Sequence, residues 1–278
     1  MVRKTVLLVG RRCKTLVMIL CLTSACGTKV MDHATVSASW RLSDQQIDTL
    51  VHQKIFFGHQ SVGANILQGI QELMVDDSRL KLRVIASADP GSVPGPAFVE
   101  TSIGKNTDPA SKDEAFAAIV NTGLGNQRAV IMYKYCYVDI NASTDVKQLF
   151  ENYRKRIDLL QRTHPTLKVV HITVPLTTVE PAAEAWIKSM LGKTTMRAAD
   201  EKRNEFNNRL RQTYAEKEPI FDLAEVESTH ADGSRSYFMS SSETIYILAP
   251  EYTSDGAHLN GAGRRAAAQR LLTVLAAL

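Results

Sequence analysis

Two stretches of this chain carry residue types that could do covalent chemistry together. In Lys54-Ile55-Phe56-Phe57-Gly58-His59-Gln60-Ser61-Val62-Gly63 an apolar run stops at Gly58, three polar residues follow, and a helical pattern begins at Val62. A hydroxyl therefore sits where a strand ends and a helix starts, the junction at which α/β proteins place ligands and nucleophiles. Many serines at such turns only cap the helix, so a nucleophilic role for Ser61 requires a base from elsewhere. Ser254-Asp255-Gly256-Ala257-His258-Leu259-Asn260 supplies one. An Asp and a His three apart on a turn can lie side by side, the carboxylate accepting from one imidazole nitrogen. The other nitrogen is then left to take a proton from a hydroxyl.

The elements that must bring these stretches together can be read from periodicity. A cap-like Ser43-Asp44-Gln45-Gln46 precedes a short helix, and the first strand covers 54–58. Val62, Ile66, Leu67, Ile70, Leu73 and Met74 then follow helical spacing. A strand is expected over 80–86, a long Pro- and Gly-rich irregular loop over 87–112, and a helix over 113–124. The run 129–139 reads as a central parallel strand, followed by a helix from Thr144-Asp145 to about Arg162 and a buried strand over 167–174. Beyond it come a short helical excursion at 181–191, a long helix over 196–217, a short strand at 220–223, a Ser-rich loop over 228–257 and a helix over 261–278. Five alternations of strand and helix imply parallel crossovers. The expected fold is α/β, a three-layer α/β/α sandwich with a mainly parallel, flavodoxin-like five-stranded sheet, in one domain over 46–278.

With these residues in this order the sequence resembles the SGNH (GDSL-type) hydrolases over most of 52–278. Ser61 takes the place of the family nucleophile after the first strand. Asp255-Gly256-Ala257-His258-Leu259-Asn260-Gly261-Ala262-Gly263 matches the family's Asp-x-x-His ahead of the final helix. Phe206-Asn207-Asn208-Arg209-Leu210-Arg211 and Phe221-Asp222-Leu223 resemble the helix and strand before that motif. The Gly-Asp-Ser-Leu block departs from the family pattern as Gly58-His59-Gln60-Ser61-Val62, and the Gly-x-Asn-Asp block as Cys136-Tyr137-Val138-Asp139. The resemblance implies a Ser61–His258–Asp255 triad and an oxyanion hole made of the Ser61 N–H, a glycine N–H and an asparagine amide. Gly104 is the expected glycine, with Gly91 competing. Val138 cannot donate, so Asn141 is the first choice for the side-chain donor, with Asn106 and Tyr137 as alternatives. His59, Gln60 and Tyr137 are the expected substrate contacts, and for His59 the ordering of the turn is the other expected role.

The N-terminus reads as an export signal. Arg3, Lys4, Arg11, Arg12 and Lys14 precede the apolar run 16–22 and the small residues Thr23-Ser24-Ala25, and no acid occurs in 1–25. Cys26 directly after them resembles a bacterial lipoprotein cleavage site, which implies lipidation there and a tether over 26–45. Taking those five cations from 33 leaves 28 basic against 29 acidic residues, so the net charge of +4 belongs to the signal and no nucleic-acid partner is expected. Cys13 and Cys21 leave with the signal, and Cys136 alone remains in an apolar run. No Cys/His cluster has metal-ligand spacing, and no metal or organic cofactor is expected. The remaining histidines read as structural, His171 as a core residue and His230 as a surface or turn residue.

The resulting expectation is an exported, envelope-located, monomeric serine esterase anchored by lipid and acting on an acyl-ester substrate such as an acylated glycan or lipid. The alternatives are an envelope O-acyltransferase of the same fold and a non-catalytic lipoprotein that binds glycan or a partner.

Overall fold

The apolar run at the front of the chain does become the central strand of a sheet. The structure, a computed structural model, describes residues 40–125, 127–180, 187, 190–191 and 195–278. Helix α1 (Asp44–Val51) opens with a reciprocal cap, in which the Gln46 N–H donates to the Ser43 hydroxyl and the Ser43 N–H donates to the Gln46 side chain. Then follow β1 (Lys54–His59), α2 (Val62–Asp76), β2 (Val84–Ala86), β3 (Ala97–Ser102) and α3 (Pro109–Ile119), which ends in a wide turn at Val120–Leu124. The second half contains β4 (Val130–Tyr133), α4 (Val146–Thr163), β5 (Lys168–Val169) and β6 (His171–Ile172). Helix α5 (Met196–Tyr214), β7 (Ile220–Phe221), α6 (Leu223–Ser228), the hairpin β8 (Tyr237–Ser240)–β9 (Glu243–Tyr246) and α7 (Gly261–Ala276) complete it.

Five strands form a parallel sheet in the order β2-β3-β1-β4-β5, and β6 pairs in parallel with β7. The two sheets share one extended run. Val170 donates its N–H to Ile131 on β4, and His171 donates to Pro219 just before β7, so the chain changes partner between consecutive residues. Followed through that run, β3-β1-β4-β5/β6-β7 is the flavodoxin-like 2-1-3-4-5 order, and β2 is added outside it.

Side chains alternate across the sheet as strand geometry requires. Ile55 and Phe57 join Ile66, Ile70, Leu271 and Leu272 in the core under α1, α2 and α7. Phe56 joins Phe116, Ile131, Phe150 and Phe206 under α3, α4 and α5. Burying each such side chain stabilises the fold by roughly 1.5–3 kcal/mol, and these two cores join the sheet to the helix layers on its faces. Helices α2 and α7 approach closely at Gly69, where a Cβ would lie 2.3 Å from the Arg264 carbonyl oxygen.

Four expectations need correction. The strand beside β1 is β3, inside the stretch expected to be irregular, while the expected 80–86 strand is the short edge strand β2. Only Ala97, Phe98 and Val99 of β3 are buried, too few to show a period after Pro94-Gly95-Pro96. The expected strand over 129–139 stops at Tyr133, and Tyr137–Asp139 forms a single tight helical turn because the Asp139 carboxylate accepts the Cys136 N–H at 2.6 Å. The loop expected over 228–257 contains the β8–β9 hairpin. The long helix ends at Tyr214, three residues earlier than expected. The signal and most of the tether and of the 181–191 excursion lie outside the described residues.

Candidate active site

Ser61 does not cap α2. Its side chain makes no hydrogen bond to the helix N-terminus, and its backbone takes φ 51°, ψ −107°. Such a conformation costs a non-glycine residue on the order of 1–3 kcal/mol and persists only where the surroundings impose it. Next to it the Gln60 amide donates to the carbonyl oxygens of Ile103 (2.9 Å) and Gly104, fastening the β1–α2 turn to the β3–α3 loop. Helix α2 then begins at once, with Gly63 N–H on the Gln60 oxygen (3.0 Å) and Ala64 N–H on the Ser61 oxygen (2.8 Å). The Ser61 hydroxyl lies 2.6 Å from His258 Nε2.

His258 is oriented by Asp255. The ring Nδ1–H donates to Asp255 Oδ2 at 2.7 Å, while Oδ1 accepts the backbone N–H groups of His258 (2.7 Å) and Ala257 (2.9 Å). Those backbone bonds, with the imidazole, hold the Asp255 carboxyl far below the usual range and keep it ionised. With Nδ1 protonated, the Nε2 lone pair faces the Ser61 O–H, the arrangement a general base needs. The loop carrying both residues is bracketed by Thr178 N–H on the Gly256 oxygen (2.8 Å) and by Leu259 N–H on the Asn65 side chain of α2 (3.2 Å). Asn260 closes it, capping α7 with its side-chain oxygen and donating its amide to the Glu251 carbonyl (2.8 Å). The side chains of His258 and Asp255 remain 41% and 56% exposed.

The other expected site residues fall into two groups. Gly104 sits in the loop that Gln60 holds, at φ 56°, and a Cβ there would lie 2.6 Å from the Lys112 nitrogen. Tyr137 turns away from the tyrosines before it, and its ring stands nearly perpendicular to that of His258 at 5.7 Å. By contrast, His59 is 4% exposed and packs inward, its Nε2 2.8 Å from Glu100 on β3. Burial lowers its pKa against the opposing pull of Glu100. Gln60 spends its amide on the two loop carbonyls. These two positions therefore hold the turn together, one of the two roles expected of His59. Asn141 is exposed and turns its side-chain oxygen onto the Ser143 N–H (2.9 Å) and hydroxyl (2.7 Å).

Several supporting residues escaped the sequence reading. Lys112 and Asp139, both wholly buried, form an ion pair. Asp139 also accepts Thr107 N–H (2.8 Å), and Lys112 reaches Asn106 Oδ1 (3.1 Å), so the pair ties the Gly104 loop to the Tyr137–Asp139 turn after β4. Lys112 ends the stretch expected to be a loop and Asp139 the run expected to be a strand, and only the fold places them together. Tyr133 and Tyr135 lie in the core, both donating their hydroxyls to Asp113 (2.8 and 2.6 Å). His171 is likewise a satisfied core residue, between the Tyr153 hydroxyl (2.7 Å) and Glu218 (3.2 Å).

A second Ser–His–acid chain exists. The Ser236 hydroxyl lies 2.8 Å from His230 Nε2, and His230 Nδ1 meets Glu251. Ser236 differs from Ser61 in the way that matters: its backbone N–H is taken by the Ser228 oxygen at 2.8 Å and cannot serve an oxyanion. A polar groove of about 950 Å³ between α5 and the hairpin, flanked by Glu201, Arg209 and Ser240, includes no member of either chain. Among the described residues no group of three His, Cys, Asp or Glu side chains could hold a metal ion.

No known family profile matches the sequence, and no curated protein does. Solved structures do. The fold is similar to that of a GDSL-like lipase from Bacteroides thetaiotaomicron, with 14% identity, 88% of this chain and 97% of that one covered, and a TM-score of 0.50. Weaker likeness extends to a member of the lipolytic G-D-S-L family from Veillonella parvula (15% identity, 79% and 95% covered, TM-score 0.44). It also extends to Est24, a carbohydrate acetylesterase from Sinorhizobium meliloti (13% identity, 71% and 99% covered, TM-score 0.39). At this identity the likeness is one of fold: a parallel α/β sheet of the kind GDSL-type lipases use.

Proposed function

We propose that the chain is an esterase-type serine hydrolase. The observation that carries this reading is the continuous chain Ser61 Oγ–His258 Nε2 and His258 Nδ1–Asp255, with Ser61 strained at the mouth of the sheet and its hydroxyl not used as a cap. Ser61 Oγ attacks an ester carbonyl as its proton passes to His258 Nε2. Asp255 stabilises the imidazolium that forms and fixes its orientation. The negative charge developing on the carbonyl oxygen is received by the Ser61 and Gly104 N–H groups. The Asn141 amide nitrogen, the expected third donor, belongs to a side chain already turned onto Ser143. The tetrahedral intermediate collapses, the C–O bond breaks, and the leaving alkoxide takes the proton from His258. Water then attacks the acyl-enzyme with His258 as base, releasing the acid and restoring Ser61. His59 and Gln60 act as positioning residues beneath the turn, and Tyr137 borders the space beside His258.

The address proposed from the N-terminus is the cell envelope, with lipid at Cys26, and acylated glycans or lipids there are the proposed substrates. A sugar hydroxyl attacking the same acyl-enzyme in place of water would make the protein an O-acyltransferase, a reading that the exposure of His258 leaves room for. A fluorophosphonate probe tests the nucleophile: wild type should be labelled and Ser61→Ala should not. Wild type that is neither labelled nor able to cleave a short p-nitrophenyl ester contradicts the proposal. Product analysis with a glycan acceptor separates hydrolysis from transfer.

A further inference from the structure

Lys134 is the most anomalous side chain near the turn. It lies on the extended run just past β4, 1% exposed, with its own N–H on the Gly58 oxygen at 3.3 Å. Burying a Lys head group is costly unless it is paired. Among the described residues no carboxylate lies within salt-bridge distance of it. Its recorded partners are the Tyr135 carbonyl at 3.5 Å and Cys136 Sγ at 3.7 Å. Burial depresses its pKa, reinforced by Lys112 and opposed in part by Cys136, Glu227 and Asp139. Cys136, fully buried, in turn directs its S–H to the Gln60 carbonyl oxygen at 3.7 Å, an ordinary separation for a sulfur donor.

That carbonyl belongs to the same peptide unit as the Ser61 N–H. We infer that Lys134 and Cys136 form a hydrogen-bonded relay, Lys134 Nζ to Cys136 Sγ to Gln60 O, that orients and polarises the peptide whose other end is the Ser61 oxyanion donor. A hydrogen bond to a peptide oxygen strengthens the N–H of that peptide as a donor, and chains of such bonds reinforce one another in a low-dielectric interior. Gly63 N–H adds a second bond to the same oxygen at 3.0 Å. The arrangement gives a role to a buried lysine and a lone buried thiol that sequence reading left as core. It also bears on the place where this chain has Val138 in the Asn position, since a stronger Ser61 donor offsets a side-chain donor that Val138 cannot supply. Lys134 and Cys136 are positioning residues, acting through the Gln60–Ser61 peptide without touching the substrate. The inference rests on the esterase reading.

The test uses the full chain and four proteins: wild type, Cys136→Ala, Cys136→Ser and Lys134→Met. Fluorophosphonate inactivation rate, kcat and KM on a short p-nitrophenyl ester, and thermal midpoint are measured for each. The relay predicts that Cys136→Ala and Lys134→Met lower kcat and the inactivation rate about tenfold with KM nearly unchanged. Cys136→Ser, which keeps a donor, should recover most of that loss. Lys134→Met should melt at or above the wild-type temperature, because it replaces a buried polar head with an apolar one, and a purely structural lysine would not combine that with slower turnover. Wild type labelled at Ser61 with Cys136→Ala and Lys134→Met reacting at its rate overturns the relay alone. Slow Cys136→Ala without rescue by Cys136→Ser also overturns it. An unlabelled wild type overturns the nucleophile reading and the relay with it.

Discussion

Asp255→Asn separates the two tasks that the Asp255 carboxylate performs. Oδ1 holds the loop through two backbone N–H groups, and Oδ2 alone receives the imidazole Nδ1–H. An asparagine can keep the first and must lose the second, since its NH2 cannot accept. The loop should therefore stay in place while the ring loses its reason to carry the proton on Nδ1, and the lone pair facing Ser61 is lost. Two contributions add. Attraction between carboxylate and imidazolium at about 4 Å ranges from roughly 1 kcal/mol in water to roughly 4 at an effective dielectric of 20. A pair this exposed belongs near the lower half, about 2 kcal/mol. The wrong tautomer contributes a similar amount, so kcat/KM on a p-nitrophenyl ester should fall about 10³-fold, or ~4 kcal/mol at 1.36 kcal/mol per tenfold. The thermal midpoint should barely move, whereas Asp255→Ala should lower both. A fall of less than tenfold in Asp255→Asn, with the melting curve unchanged, would refute the claim that Asp255 sets the state of His258.

Three further outcomes follow from the same geometry. Ser61→Gly and Ser61→Ala should both be inactive, but the glycine variant should be the more stable by about 1 kcal/mol, read from denaturant melts, because only glycine takes the positive φ without strain. Gly104→Ala should lower both stability and kcat, since its Cβ would press on the Lys112 backbone at a position that also requires positive φ. Glu227 is wholly buried, with its carboxyl pushed up to about 8 by desolvation from 4.5. A raised folded-state pKa means the protonated form is favoured on folding, so this contribution is full below about pH 4.5 and is lost as pH rises through 8. Glu227→Gln should flatten that slope in melting temperature against pH.

The legible parts of this protein were those encoded locally. The Ser61 turn shows as an apolar run breaking into polar residues before a helical period, and Asp255 and His258 reveal their partnership by spacing alone. The order β1, α2 and the final helix followed from alternation. Strand β3 did not show, because it needs only three buried residues between β2 and β1, and its polar half, with Glu100, faces a partner found only in space. Lys112, Asp139 and Lys134 escaped for a related reason. Each falls inside a stretch read only as a loop or a strand, and nothing along the chain shows that the start of α3 and the run after β4 meet beneath one turn. Adjacency to Ser61 leaves His59 either to order the turn or to meet a substrate, and only the fold, with alternation along β1 sending it inward to Glu100, shows it ordering the turn.

The most direct measurement is mass spectrometry of the full chain quenched during turnover of a slow acyl ester. The account predicts one acyl group on the peptide containing Ser61 in wild type, absent in Ser61→Ala and strongly reduced in His258→Ala. An acyl group found instead on Ser236, or turnover with no acyl-enzyme on Ser61, would contradict it.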